Sequence, residues 1–155
     1  MPMPSSPDAA NRTKFYLVRH ADAGDRGDFD GPDIERPLTQ KGKEQAIAIA
    51  VRLKGQGIQR VRSSPATRCV QTAQPLAAAL GVQLEICEEL YEGNEIEVGP
   101  ANGTVIVAHG DNIPMLLRRL GAGLSGPWCK KGSVWSVTLD EDGRLLEAGY
   151  WANRD

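Results

Sequence analysis

Histidine and cysteine are both scarce in this chain of 155 residues, two and three copies respectively. Two histidines, with no cysteine or glutamate at ligand spacing, leave a zinc shell incomplete, so no metal or other cofactor is expected. The cysteines, Cys69, Cys87 and Cys129, lie far apart and include no C-x-x-C pair. An odd, scattered set reads as the reduced thiols of a cytoplasmic protein, three small buried hydrophobes without a catalytic role. No apolar run approaches the roughly 20 residues of a membrane span. The opening stretch "MPMPSSPDAANRTK" has no apolar segment, so it reads as neither signal peptide nor anchor. Positive charge is not in excess either. A formal net charge of -2 argues against a nucleic-acid footprint and against a membrane-seeking surface. Any anion site must therefore come from local placement of arginines.

What is present suits one globular domain with a real core: 41% hydrophobic and 25% charged residues, with no internal repeat. Residues 1–13, rich in Pro, Ser and Asp, are expected to be a short disordered tail, and residues 14–155 the domain. Phe15 to Val18 is a continuous apolar run, the signature of a buried central strand. A polar loop rich in Gly and Asp follows. Thr39 is placed to cap a helix from about Gln40 to Lys54, with Ala46, Ile47, Ala50, Val51 and Lys54 as its inner stripe. "IQRVRSS" reads as a short strand. Ser64 as N-cap and Pro65 at the first helical position open a second helix, which Pro75 should kink or break and Gly81 closes. "VQLEI" and "TVIVA" read as strands, the latter fully buried, and a helix runs from near Pro114 to Gly121. "SVWSVTL", the turn "DEDG" and "RLLEAGYW" form an antiparallel hairpin. The alternation predicts a three-layer α/β/α sandwich, a mostly parallel central sheet with helices on both faces and the C-terminal antiparallel hairpin.

Ligands of such sheets bind at the carboxyl ends of the strands. Arg19 and His20 end the first strand, His109 follows a later one, and Arg68 lies in the first turn of the helix after Ser64. Two guanidiniums and two imidazoles at one rim make a pocket for a compact, multiply charged anion, and phosphate fits best. Positive neighbours should hold His20 neutral and nucleophilic, while His109 donates a hydrogen bond to the transferring group. Each residue also has an ordinary alternative: a surface ion pair for Arg19 and His20, a satisfied core position for His109, a solvated helix face for Arg68.

Four segments in order resemble one family. "LVRHADAG", "RPLTQKGKEQA", "SSPATRCVQTAQPLA" and "VIVAHGDNI" are similar to the motifs of the histidine phosphatase superfamily, the phosphoglycerate-mutase-like proteins. The short length, "RHADA" and "KGSVW" look closest to the SixA-type phosphohistidine phosphatases, and also resemble the phosphatase domain appended to some Nudix hydrolases. The resemblance implies that His20 attacks phosphorus and becomes phosphohistidine. Arg19, Arg68 and His109 would hold the equatorial oxygens, with Ser64 supporting the N–H groups of the helix start and Arg36 within reach of the substrate. A general acid for ester substrates is implied among Glu88, Glu89, Glu92, Glu95 and Glu97. The "LYE" spacing selects Glu92, with Glu89 second and a solvated acidic loop as the ordinary alternative. Ala21 stands where many relatives have glycine, and Asp22 matches the SixA-like form.

The expected function is a metal-independent phosphatase acting on phosphohistidine proteins. Hydrolysis of small phosphate esters or nucleotides is the alternative, and a non-catalytic anion-binding domain the alternative of another class. The partner is thus a phosphorylated protein or small metabolite, with neither nucleic acid nor membrane involved.

Overall fold

The computed structural model describes residues 11–122 and 128–153. Most of the expected tail, residues 1–10, lies outside them. The first strand, β1, spans Thr13–Arg19, starting one residue before the expected domain boundary. It is followed by α1 (Gln40–Leu53), β2 (Arg60–Ser63), α2 (Thr67–Leu80), β3 (Leu84–Ile86), β4 (Thr104–Ala108), α3 (Asn112–Arg119), β5 (Val134–Leu139) and β6 (Leu145–Trp151). The strands form one sheet in the order β3-β2-β4-β1-β5-β6. Pairing is parallel from β3 through β1 and antiparallel from β1 to β6.

Successive residues of β1 and β4 point to opposite faces, and both faces are apolar, which is why these runs do not alternate. Tyr16, Val18, Val105 and Val107 pack with Ile49, Leu53, Ala73 and Leu76 of α1 and α2. Phe15, Leu17, Ile106 and Ala108 pack with Ile113, Leu116 and Leu117 of α3 and with Trp135 and Val137. The three expected layers are therefore present. Among the described residues, no helix is long and apolar enough to cross a membrane.

Several local expectations needed correction. Thr39 does cap α1, its hydroxyl accepting the Gly42 N–H at 3.0 Å. The inner stripe, however, is Gly42, Gln45, Ala46, Ile49, Ala50 and Leu53, while Ile47 and Val51 are 58% and 74% exposed. Apolar character misplaced the stripe because Gln45 is buried for its polar end: its Oε1 accepts the Asp22 N–H at 2.9 Å. Ser64 and Pro65 do not open α2. Ser64 lies just past β2 with its N–H still bonded to Val107 O, and helical turns start at Thr67 after Ala66. Nor does Pro75 break α2, which runs on to Gly81 with φ +69°. Ala73, Leu76 and Ala77, on both sides of Pro75, are buried in one core cluster with residues of the sheet. α3 starts at Asn112, two residues before Pro114, which sits in the first turn where a missing N–H costs no helical bond. Of the cysteines only Cys69 is fully buried, its thiol pushed up to about 12 by burial; Cys87 and Cys129 are partly exposed.

Candidate active site

Parallel neighbours end at the same rim, and this places the site. Arg19 pairs with Ala108 and Ser63 with Val107, so β1, β4 and β2 deliver their carboxyl ends side by side. The His20 N–H then closes onto Ala108 O at 3.0 Å, and His109 follows directly. Their rings lie 5.6 Å apart, centroid to centroid, at 66°. α2, leaving the end of β2, brings Arg68. Together Arg19, His20, Arg68 and His109 border a cleft of about 330 Å3 that Arg26, Arg36, Glu92 and Lys131 also line.

His20 is buried, with Nδ1 2.8 Å from Ala21 O. A carbonyl only accepts, so Nδ1 carries the proton and Nε2 keeps a lone pair. The pKa of His20 is lowered to about 3, first by burial and then by Arg19, His109 and Arg68, partly opposed by the Ala21 hydrogen bond. Neutrality was expected from the arginines; removal from water is the larger cause. His109 is lowered to about 4, again by burial first and Arg68 second. Its Nε2 lies 2.9 Å from Ser64 Oγ, which also accepts the Ala66 N–H at 3.3 Å. A Ser64 hydroxyl that donates to Nε2 leaves His109 protonated at Nδ1. Ser64 itself is fully buried and outside the cleft wall, placed behind His109 to set its tautomer.

Arg68 is only 1% exposed, which removes the solvated-face alternative. Its Nη1 donates to Asp33 O at 2.9 Å, and its Nη2 lies 3.1 Å from Glu92 Oε1 and 3.3 Å from Asp33 Oδ2. Arg19 donates through Nη1 to Cys129 O at 2.7 Å, backed by Gly110, where an added Cβ would fall 2.7 Å from the Arg19 Cζ. Three buried nitrogens of the cleft residues have no hydrogen-bond partner among the described residues: Arg19 Nε, Arg68 Nε and His109 Nδ1, the last an N–H donor in that tautomer. An unmet buried donor costs about 1–3 kcal/mol, so such donors on one cleft call for an acceptor.

Of the five acidic candidates Glu92 alone lines the cleft, held by Arg26 Nη2 at 2.6 Å as well as by Arg68. Glu89 pairs with Arg62 at 2.9 Å on an exposed face away from it. Arg36 lines the cleft but is tied down, Nη1 donating to Ala23 O and Gly24 O and Nε to Asp33. It holds the loop after β1 in place. Sequence reading overlooked Arg26, Asp33 and Lys131. The first two sit in a Gly- and Asp-rich loop without periodicity, while Lys131 opens the "KGSVW" segment, which was read for the resemblance and not for the site. For Arg26 and Asp33 the only signal was charge flanking a proposed anion site.

A family model described as the histidine phosphatase superfamily (branch 1) matches residues 15–104, a span that holds His20 and Arg68 and ends before His109. The chain is 32% identical to the 8-oxo-(d)GTP phosphatase of Mycolicibacterium smegmatis over an alignment 169 positions long that covers 92% of this chain and 49% of that protein. It thus spans about half the length of that relative. It is 28% identical over 145 residues to the phosphohistidine phosphatase SixA of Escherichia coli, covering 84% of this chain and 88% of that one. Among solved structures, it superposes on the protein histidine phosphatase SixA complexed with tungstate with a TM-score of 0.73. That match has 27% identity over 88% of this chain and 96% of that one.

Proposed function

The chain belongs to branch 1 of the histidine phosphatase superfamily, and from that premise we propose that it dephosphorylates protein phosphohistidine, without a metal ion, through a phosphohistidine formed on His20. The observation that carries this reading is the pairing of one neutral imidazole, free at Nε2, with three unmet N–H donors on the same cleft. His20 Nε2 attacks phosphorus in line with the leaving group. Arg19, Arg68 and His109 then donate to the three equatorial oxygens, where negative charge is greatest in the transition state. Water attacks the phosphohistidine in the second step, releases phosphate and restores His20. Likeness to SixA across most of both chains supports a phosphohistidine protein as substrate. An imidazole leaves readily, so that substrate makes small demands on an acid.

Glu92 in the cleft wall favours a second reading, hydrolysis of small phosphate esters or nucleotides. An alkoxide needs a proton as it departs, and a placed carboxyl group is worth roughly 10²–10⁴ in rate. The mycobacterial 8-oxo-(d)GTP phosphatase lends this branch support. Glu92→Gln assayed on a phosphohistidine protein and on an ester separates the two. Large loss on the ester beside little loss on phosphohistidine fits the acid role. Equal effects on both contradict it. Turnover of p-nitrophenyl phosphate should persist in chelator; a protein that binds vanadate yet turns over no phosphate compound would be a binding domain instead.

A further inference from the structure

Next to the reaction cleft is a second cavity of about 390 Å3, lined by Arg19, Asp22, Lys41, Gln45, Lys130 and Lys131. Arg19 and Lys131 line both, so the two spaces share these side chains as a common border. Four cationic side chains thus surround one carboxylate in a chain whose net charge is -2. That carboxylate is committed: Asp22 Oδ2 takes the Thr39 hydroxyl at 2.6 Å and Oδ1 lies 3.4 Å from Lys131 Nζ. Lys41 and Lys130 are exposed, and their ammonium groups have no hydrogen bond or ion pair among the described residues. Their anchorage is nevertheless firm. Lys41 stands in the first turn of α1, whose amino end itself favours an anion. Lys130 and Lys131 precede Gly132, whose N–H reaches Arg19 O and His20 O at 3.2 and 3.0 Å. The turn that carries the lysines is therefore bonded to the backbone of the nucleophile.

Like charges gathered around a concave space repel one another until an anion enters. A carboxylate, with one charge and two oxygens, would leave this cation set in excess. With Lys131 paired to Asp22 and Arg19 assigned to the transferred group, Lys41 and Lys130 are left, and a phosphate, with nearly two charges and three acceptors, matches them. We propose that this second cleft binds a second phosphate of the same substrate, so that compounds bearing two neighbouring phosphates are preferred over monophosphates. The inference rests on the phosphatase reading of His20 and develops its small-molecule branch.

The test is calorimetric titration of the intact protein with methylphosphonate and methylenebisphosphonate, neither of which can be hydrolysed. Binding is read without turnover, so failure of the His20 chemistry would appear separately, as a missing phosphoenzyme. The bisphosphonate should bind at least about tenfold tighter, an advantage that falls below about threefold in Lys41→Ala/Lys130→Ala. Equal affinity of the two probes in the native protein would overturn the proposal, as would an undiminished advantage in the double variant. A double variant whose KM rises for a phosphohistidine protein, with the bisphosphonate advantage intact, would assign the lysines to an acidic protein surface and overturn it too.

Discussion

A histidine whose pKa lies near 3 is a base that remains unprotonated throughout the physiological range. His20 and His109 are both of this kind, lowered to about 3 and about 4, so neither should give the inflection near 6.5 of a free imidazole. Phosphoenzyme formation on a substrate of constant charge is expected to stay level from pH 8 down to about 5; single-turnover rates across that range check it. Stability carries the same signature with a definite sign. Above about 6.5 both folded and unfolded imidazoles are neutral and nothing is lost. As pH falls from there towards the folded values, the unfolded chain takes up protons that the buried rings refuse, so the fold weakens progressively. Denaturant midpoints that rise between pH 7 and 4.5 would contradict the burial account of these two rings. Arg68 is expected to matter through its N–H at the transferring group. Arg68→Ala should lower kcat/KM by roughly 150-fold, about 3 kcal/mol, as for other oxyanion donors. Lysine should restore little of this, because it lacks the planar fork.

Two glycines make separable predictions at the level of the elements. An added Cβ on Gly42 would fall 2.0 Å from Asp22 O, a backbone atom that the Thr39 N–H already holds. Gly42→Ala should therefore force α1 away from the loop after β1 and destabilise the fold by about 3 kcal/mol, read as a lower urea midpoint. At Gly110 the obstruction is the flexible end of Arg19. Gly110→Ala should leave the midpoint nearly unchanged and cut activity by displacing that guanidinium. A fall in stability as large as that of Gly42→Ala would reverse the assignment. The elements themselves were largely legible, since capping by Thr39, the closing Gly81 and the apolar runs of β1 and β4 are local signals. The misreadings came where tertiary contacts override them. Gln45 is buried through a hydrogen bond to residue 22, Ser64 is bonded to Val107 and His109, and α2 runs past Pro75 within one core cluster.

For the whole molecule, three parallel neighbours ending at one rim bring together residues as distant as 19, 68 and 109. This convergence was readable because each of these residues ends a strand or opens a helix. The rest of the cleft was not, since Arg26, Asp33 and Lys131 come from loops whose course depends on ion pairs formed only in the folded chain. The claim on which everything else depends is that His20 takes the phosphoryl group. Rapid alkaline quenching of the enzyme with substrate, followed by peptide mass analysis, tests it directly. The account predicts one phosphoryl group on the peptide containing His20 and none in His20→Ala. Label on the His109 peptide, or label that persists in His20→Ala, would contradict it.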